Sequence, residues 1–273
     1  MNKTIKNNKS ETTKVAICFW GLTRSLKYTI ETIKKNIFEP LTKAGITYDI
    51  YLHTYHIDGK YSNPWAGENN EILDNEEYKL LKPDYFKVEN QSYISKIINF
   101  EKYKTMVNPW AHDQTFNNSL LALWSLKEVT KLWSMRDIHY SKILYCRPDV
   151  EFLCPIDIGW ILDKTNDIYL ANFAIKGEKF GIGADRFAIG KPDTMKIYGN
   201  RFDEAYEYSK IKELYSRKFL EDVLKKYNRK IKFINFQFIR IRANGKRNKI
   251  NTIYHKKSVC KTKKNRVPRT ANL

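Results

Sequence analysis

At 273 residues, with 42% hydrophobic and 14% aromatic residues, the chain can bury a sizeable core and is too apolar to be disordered throughout. No run approaches the roughly 18 apolar residues of a membrane span, and the polar start MNKTIKNNKSETTK lacks the apolar stretch of a secretory signal. The net charge of +19 is concentrated at one end: residues 223–273 hold 17 Lys and Arg and no Asp or Glu, which leaves 32 basic against 30 acidic residues in 1–222.

Such an end can hold a polyanion, an anionic membrane surface or a diphosphate, or it can be a solvated extension. The four cysteines (Cys18, Cys146, Cys154, Cys260) contain no C-x-x-C pair. They are expected as free, mostly buried thiols of a reducing compartment, which makes the expected location cytoplasmic, with the tail as a peripheral membrane contact.

Residues 1–13 are expected as a disordered lead-in. Lys14 to Trp20 is a continuous apolar run closed by Gly21, the pattern of a buried parallel strand. Thr23 or Ser25 can cap the following helix, which carries Ile30, Ile33 and Ile37 and should stop near Pro40. Tyr48 to Thr54 is a second strand. This β-α-β order within about 40 residues marks a parallel α/β sheet. Residues 58–75 are turn-rich and expected as a loop, and YFKVE after Pro83 as a short strand.

Asn117 to Trp133 has a long helical apolar side, and Ile143 to Arg147 is again a buried strand. Ile168 to Ala171 is a further strand, and GIGADRFAIG at 181–190 is a glycine-hinged loop that leads into another. Two amphipathic helices are expected near 192–208 and 211–227. The alternating KIKFINFQFIRIRANG at 230–245 reads as strand.

Chemistry gathers at KILYCRPDVEF. In open α/β sheets ligands bind at the carboxyl ends of strands, where Asp149 falls. Asp149 and Glu151 are hard oxygen ligands suited to Mn²⁺ or Mg²⁺ held with substrate phosphates, if the turn after Pro148 brings both to one ion. The alternative is an Asp that caps the turn and a solvated Glu. Gly21 to Arg24 opens a helix directly after a strand, which favours an anion, and Arg24 adds a planar fork for phosphate. It can equally be an exposed side chain beside a cap. Arg147 can neutralise anionic charge at that rim, pair with Asp149, or both. His53 ends a strand and either faces a ligand at the rim or is a hydrogen-bonded core histidine. His112, Asp113 and Gln114 precede the long helix, which Asp113 or Thr115 can cap.

The segment KILYCRPDVEF resembles the strand-plus-D-x-D element of GT-A-type glycosyltransferases. Asp149 stands at the second Asp, and Arg147 replaces the first. Three further segments narrow the resemblance to a poorly characterised glycosyltransferase-like group with R-P-D in place of D-x-D. These are VAICFWGLTRSLKYTIETIKKNI with its G-x-x-R turn, YDIYLHTY, and GADRFAIG. The resemblance covers residues 14–245 and leaves 246–273 as a basic extension.

It implies a single GT-A-like α/β domain with a mostly parallel, helix-flanked sheet. The implied activity is transfer of a sugar from a nucleotide-sugar donor, UDP-sugar favoured, to a glycan or glycoconjugate hydroxyl. Asp149 and Asp185 would be catalytic, with Asp185 orienting or deprotonating the acceptor. Gly21, Arg24, His53, Arg147 and Arg186 would bind donor, although Asp185 and Arg186 can also be a pair that fixes their loop. Asp149, Glu151 and a late His255 would ligate the Mn²⁺ or Mg²⁺, whose requirement the arginine at 147 puts in question.

A different class of function is a polyanion- or membrane-binding module acting through the tail. Basic and aromatic residues interleave in KFINFQFIRIR, which would suit single-strand stacking, but alternation puts half of them in a core, and nucleic acid is not favoured. A dinucleotide enzyme is disfavoured because the first turn reads G-L-T-R rather than G-x-G-x-x-G.

Overall fold

The computed structural model describes residues 13–104, 113–171 and 185–248. The strands are β1 (Lys14–Trp20), β2 (Thr47–His56), β3 (Lys60–Asn63), β4 (Glu68–Ile72), β5 (Tyr85–Asn90), β6 (Lys142–Cys146), β7 (Val150–Phe152), β8 (Ile168–Ala171), β9 (Phe187–Gly190), β10 (Ile231–Ile234) and β11 (Phe238–Arg240). The α-helices are α1 (Leu26–Ile33), α2 (Glu39–Lys43), α3 (Gln91–Ile98), α4 (Asp113–Ser134), α5 (Ile158–Leu162), α6 (Pro192–Gly199), α7 (Phe202–Ser209) and α8 (Ser216–Lys226).

Seven strands form one sheet in the order β5-β2-β1-β6-β9-β8-β10. All neighbours are parallel except where β9 runs antiparallel to β6 and β8. The α/β architecture with a mostly parallel, helix-flanked sheet is therefore as expected. The period of two along β1 divides the core. Val15, Ile17 and Phe19 pack with α1 on one face, while Ala16, Cys18 and Trp20 pack with Leu126, Val129 and Trp133 of α4 on the other. Covered on both sides, Val15 to Trp20 of β1 and Ile143 to Cys146 of β6 have no solvent-facing side, which is why they read as unbroken apolar runs.

Several expectations are corrected. The first helix does not stop at Pro40: it widens into a π-helical turn over Lys34–Phe38 and continues through α2. Pro40 has no N–H to donate to the preceding turn, and a wider turn accommodates that loss without ending the helix. Residues 58–75 hold the β3–β4 hairpin. The helical stretch from 192 contains two helices, α6 and α7, separated at Asn200 and Arg201. The alternating stretch 230–245 is split between sheets: β10 extends the main sheet beside β8, and β11 pairs antiparallel with β7.

Cys18 and Cys146 are free and buried, with burial pushing both thiols up. Cys154 is disulfide-bonded, against the expectation that every cysteine is a free thiol. Among the described residues no helix is long and apolar enough to cross a membrane.

Candidate active site

Strand direction decides what reaches the rim. β1 and β6 are parallel, so Gly21 and Arg147 leave the sheet at the same edge. β9 is antiparallel to β6 with Cys146 opposite Phe187, so the residues just before β9, Asp185 and Arg186, arrive at that edge too. The Arg147 N–H donates to the Arg186 carbonyl at 3.2 Å. β11 lies beside β7 with Arg240 opposite Val150, and the Ile241 N–H donates to the Asp149 carbonyl at 2.9 Å, which brings Arg240 and Arg242 to the same place. Together with the hairpin and the first part of α4 these segments enclose a cavity of about 900 Å³.

Arg147 is held from three sides. Its Nε donates to Asp149 Oδ1 at 2.9 Å and one terminal nitrogen to Oδ2 at 2.8 Å. Its guanidinium lies over the Trp20 ring, 4.9 Å from the centroid. A Cβ on Gly21 would come within 2.9 Å of its other terminal nitrogen. Gly21 therefore admits the arginine, and it does not offer its N–H to a ligand as expected, because that N–H donates to Ser125 Oγ at 2.8 Å.

Asp149 is fully buried and does not itself line the cavity. Arg24 donates to its Oδ2 at 3.1 Å in addition to the pair from Arg147. Burial pushes its carboxyl up, but Arg147 and then Arg24 outweigh burial and hold it well below the usual carboxylate range. The expected catalytic and metal-ligating Asp149 is thus an anchor beneath two arginines.

Arg24 is buried at the cavity wall. It donates to the Tyr61 hydroxyl and, at 3.2 Å, to Glu68 Oε2. Burial opposes its charge, yet Tyr61, Asp149 and Glu68 more than offset that and raise its pKa. Neither Tyr61 nor Glu68 was anticipated. Glu68 is fully buried, accepts from the Ala243 N–H at 2.7 Å, and ties the hairpin to the segment after β11.

Glu151 is not at the cavity. Two residues from Asp149 it would share that residue's face in a continuous strand, but Pro148 and Asp149 form a turn and re-aim the carboxylate. Glu151 instead takes two hydrogen bonds from Arg247, at 2.7 and 3.0 Å. His53 is fully buried and both ring nitrogens are taken, Nδ1 by Ser125 Oγ at 2.7 Å and Nε2 by Glu89 Oε2 at 2.9 Å. It is a core histidine and does not line the cavity, contrary to its expected contact with donor. Gln114 donates to the Ser62 carbonyl at 2.6 Å and holds the hairpin. His112 and His255 lie outside the described residues.

Asp185 and Arg186 both line the cavity. Asp185 accepts from Ser216 Oγ at 2.7 Å and lies 3.8 Å from Arg186 Nε. Burial raises its pKa, but Arg186, the Ser216 bond and Arg240 lower it further, so it is ionised. Arg240 and Arg242 were missed. Their only trace in the sequence is the alternation of 230–245, which also fits a plain core strand.

The expected divalent cation does not fit these groups. Asp149 has both oxygens on guanidinium groups and Glu151 is held by Arg247. Among the described residues no three His, Cys, Asp or Glu side chains converge as ligands. Positive charge at the rim comes from arginine.

No protein-family model matches the chain, and no curated protein matches it. Among solved structures it is similar to the galactosyltransferase LgtC in complex with donor and acceptor sugar analogues, with a TM-score of 0.45 and 9% identity over 80% of this chain and 72% of that one. It is also similar to the glycosyltransferase GlyE of Streptococcus pneumoniae TIGR4, in its apo form (TM-score 0.39, 11% identity, 81% of this chain) and in a second structure (0.41, 9%, 81%). The chain spans 45% and 46% of those GlyE chains.

Proposed function

We propose that the protein transfers a sugar from a nucleoside-diphosphate-sugar donor, UDP-sugar favoured, to a hydroxyl of a glycan or glycoconjugate. The observation that carries this reading is the charge of the cavity. It is lined by ten Lys and Arg side chains and two carboxylates, Asp185 and Glu213, and lies at the carboxyl edge of a mostly parallel sheet, where α/β proteins bind ligands. A concave, strongly basic site selects a polyanion. The lining also includes Tyr55, Phe116, Leu121 and Leu214, apolar surface suited to a base or sugar ring.

Chemically, departure of a nucleoside diphosphate leaves negative charge on the bridging oxygen. Fixed guanidinium groups at that point stabilise the transition state without rearranging, because Asp149 and Trp20 already orient Arg147. Asp185 is ionised, and its lowered proton affinity suits it to accept a hydrogen bond from an acceptor hydroxyl and fix its orientation; it is a weak base. The rest of the catalysis is positioning.

The test is a thermal-shift panel of UDP, GDP, CDP and their sugars with the full chain. A ligand specific to the folded state raises the unfolding temperature by mass action. A selective rise with one nucleotide is expected. Equal behaviour of all nucleotides and simple polyanions would remove the donor reading.

A further inference from the structure

Arg240 has no counterpart among the expected site residues, and among the described residues no carboxylate lies within ion-pair distance of it, although the charges of Asp149 and Asp185 still act on it. The β11–β7 pairing delivers it to the cavity wall. Its Nε is buried without a hydrogen-bond partner, as is that of Arg186. Around the cavity stand the guanidinium groups of Arg24, Arg147, Arg186, Arg201, Arg240 and Arg242. The carboxylates among them are Glu68, which Arg24 and Arg242 approach, Asp149, which Arg24 and Arg147 share, and Asp185. These six cations stand with three anions; Arg217, Arg247 and Glu213 line the cavity beside them. Burial first, and then the charge of Arg186, lower the pKa of Arg240; burial lowers that of Arg186 too, with Asp185 opposing and Arg147 adding to the shift. Keeping Arg240 beside other guanidinium groups with no direct carboxylate partner is costly to the unliganded fold, and a polyanion that enters relieves that cost.

We propose that Arg240, with Arg147 and Arg186, forms a clamp that neutralises two adjacent phosphate groups without a divalent cation. The planar fork of arginine can give two parallel N–H bonds to a phosphate, which a lysine cannot. The diphosphate as the natural ligand rests on the sugar-transfer reading, whereas the excess of arginine does not depend on it. Arg147 is already anchored on Asp149, so the clamp is preorganised on one side, and Arg186 is joined to it through the backbone bond between the two residues.

The experiment is titration calorimetry on the full chain in EDTA with inorganic pyrophosphate, with orthophosphate and UDP as parallel arms. Pyrophosphate is expected to bind, orthophosphate at least tenfold more weakly, and added Mn²⁺ to change affinity less than threefold. Arg240→Gln should weaken pyrophosphate at least tenfold, and Arg240→Lys by an intermediate factor. Lys43→Gln, on the exposed face of α2, should stay within twofold and controls for general charge. If Arg240→Gln does not fold, Arg186→Gln carries the same readout. Binding that appears only with Mn²⁺, binding unchanged in the arginine variants, or no binding at all overturns the clamp. The two readings fail separately. UDP-sugar bound tightly only with Mn²⁺ leaves the donor reading standing and removes the clamp. Pyrophosphate bound as expected, with no nucleotide tighter than it, leaves the clamp and removes the donor reading.

Discussion

Arg147 and Asp149, two residues apart in sequence, meet in a two-point hydrogen-bonded pair at 2.9 and 2.8 Å, with the carboxylate fully buried and the guanidinium facing the cavity. The residue type that the resemblance assigns to a metal therefore faces an arginine here. That exchange sets the first prediction. Asp149→Asn removes the charge but keeps the shape, leaving Arg147 uncompensated and Arg24 with Glu68 alone. Breaking one side of a buried pair costs about 3–5 kcal/mol. The variant should show a large drop in unfolding temperature, part of which pyrophosphate restores by supplying the missing negative charge. A variant as stable as the parent would show that Asp149 does not anchor the two arginines.

Gly21→Ala should separate packing from folding. Gly21 has φ +92°, where an L residue is strained by about 1–2 kcal/mol. The added methyl also presses on a guanidinium that Asp149 prevents from retreating. Modest destabilisation with a disproportionate loss of anion affinity is expected, measured by thermal unfolding and pyrophosphate titration. Unaltered affinity would mean that Arg147 can move aside at no cost to binding.

Glu151→Gln tests the discarded metal role. The carboxylate pairs with the exposed Arg247, and such surface pairs contribute about 0–1 kcal/mol. Stability and sugar transfer should both be nearly unchanged. A hundredfold loss of transfer in this variant would return Glu151 to the site.

The buried chain Glu89–His53–Ser125–Gly21 predicts two effects. Ser125→Ala leaves the Gly21 N–H without its acceptor, a loss of about 1–3 kcal/mol for a buried donor, read by thermal unfolding.

Stability should also fall with acid. Burial raises the Glu89 carboxyl, but hydrogen bonds from His53, Lys87 and Trp124 overcome this and hold it down to about 2. Burial likewise lowers His53, so that it stays neutral in the fold. In both cases the unfolded chain binds the proton more readily. The stabilisation is therefore complete above the unfolded pKa, about 6.5 for His and 4.3 for Glu, and is lost as pH falls from there toward the lowered folded values. Glu89→Gln should flatten the acid limb of a stability-versus-pH curve; an unchanged limb would place the titrating groups elsewhere.

Periodicity carried the sheet. The unbroken apolar runs of β1 and β6 demanded cover on both faces, and the β-α-β spacing demanded parallel neighbours, so the rim at Gly21 and Arg147 was legible in the sequence. The cap at Ser25 was half legible: it occupies the N-cap, but its hydroxyl donates to the Ile241 carbonyl instead of capping α1. His53 was a strand-end histidine whose two readings only its neighbours could separate.

The sequence by itself determined the layers, the edge of the sheet where ligands bind, and the presence of Arg24, Arg147, Asp185 and Arg186 along it. Only the tertiary structure decided which charges pair and which stay unpaired. Glu68 reaches Arg24 across 44 residues, through a hairpin that turn-rich composition hides, and Arg240 reaches the rim through pairing with β7 in a register that alternation alone leaves open. Local pattern specifies the face a side chain takes, because that depends on backbone period. Its partner depends on where distant segments meet, and neither composition nor spacing carries that information.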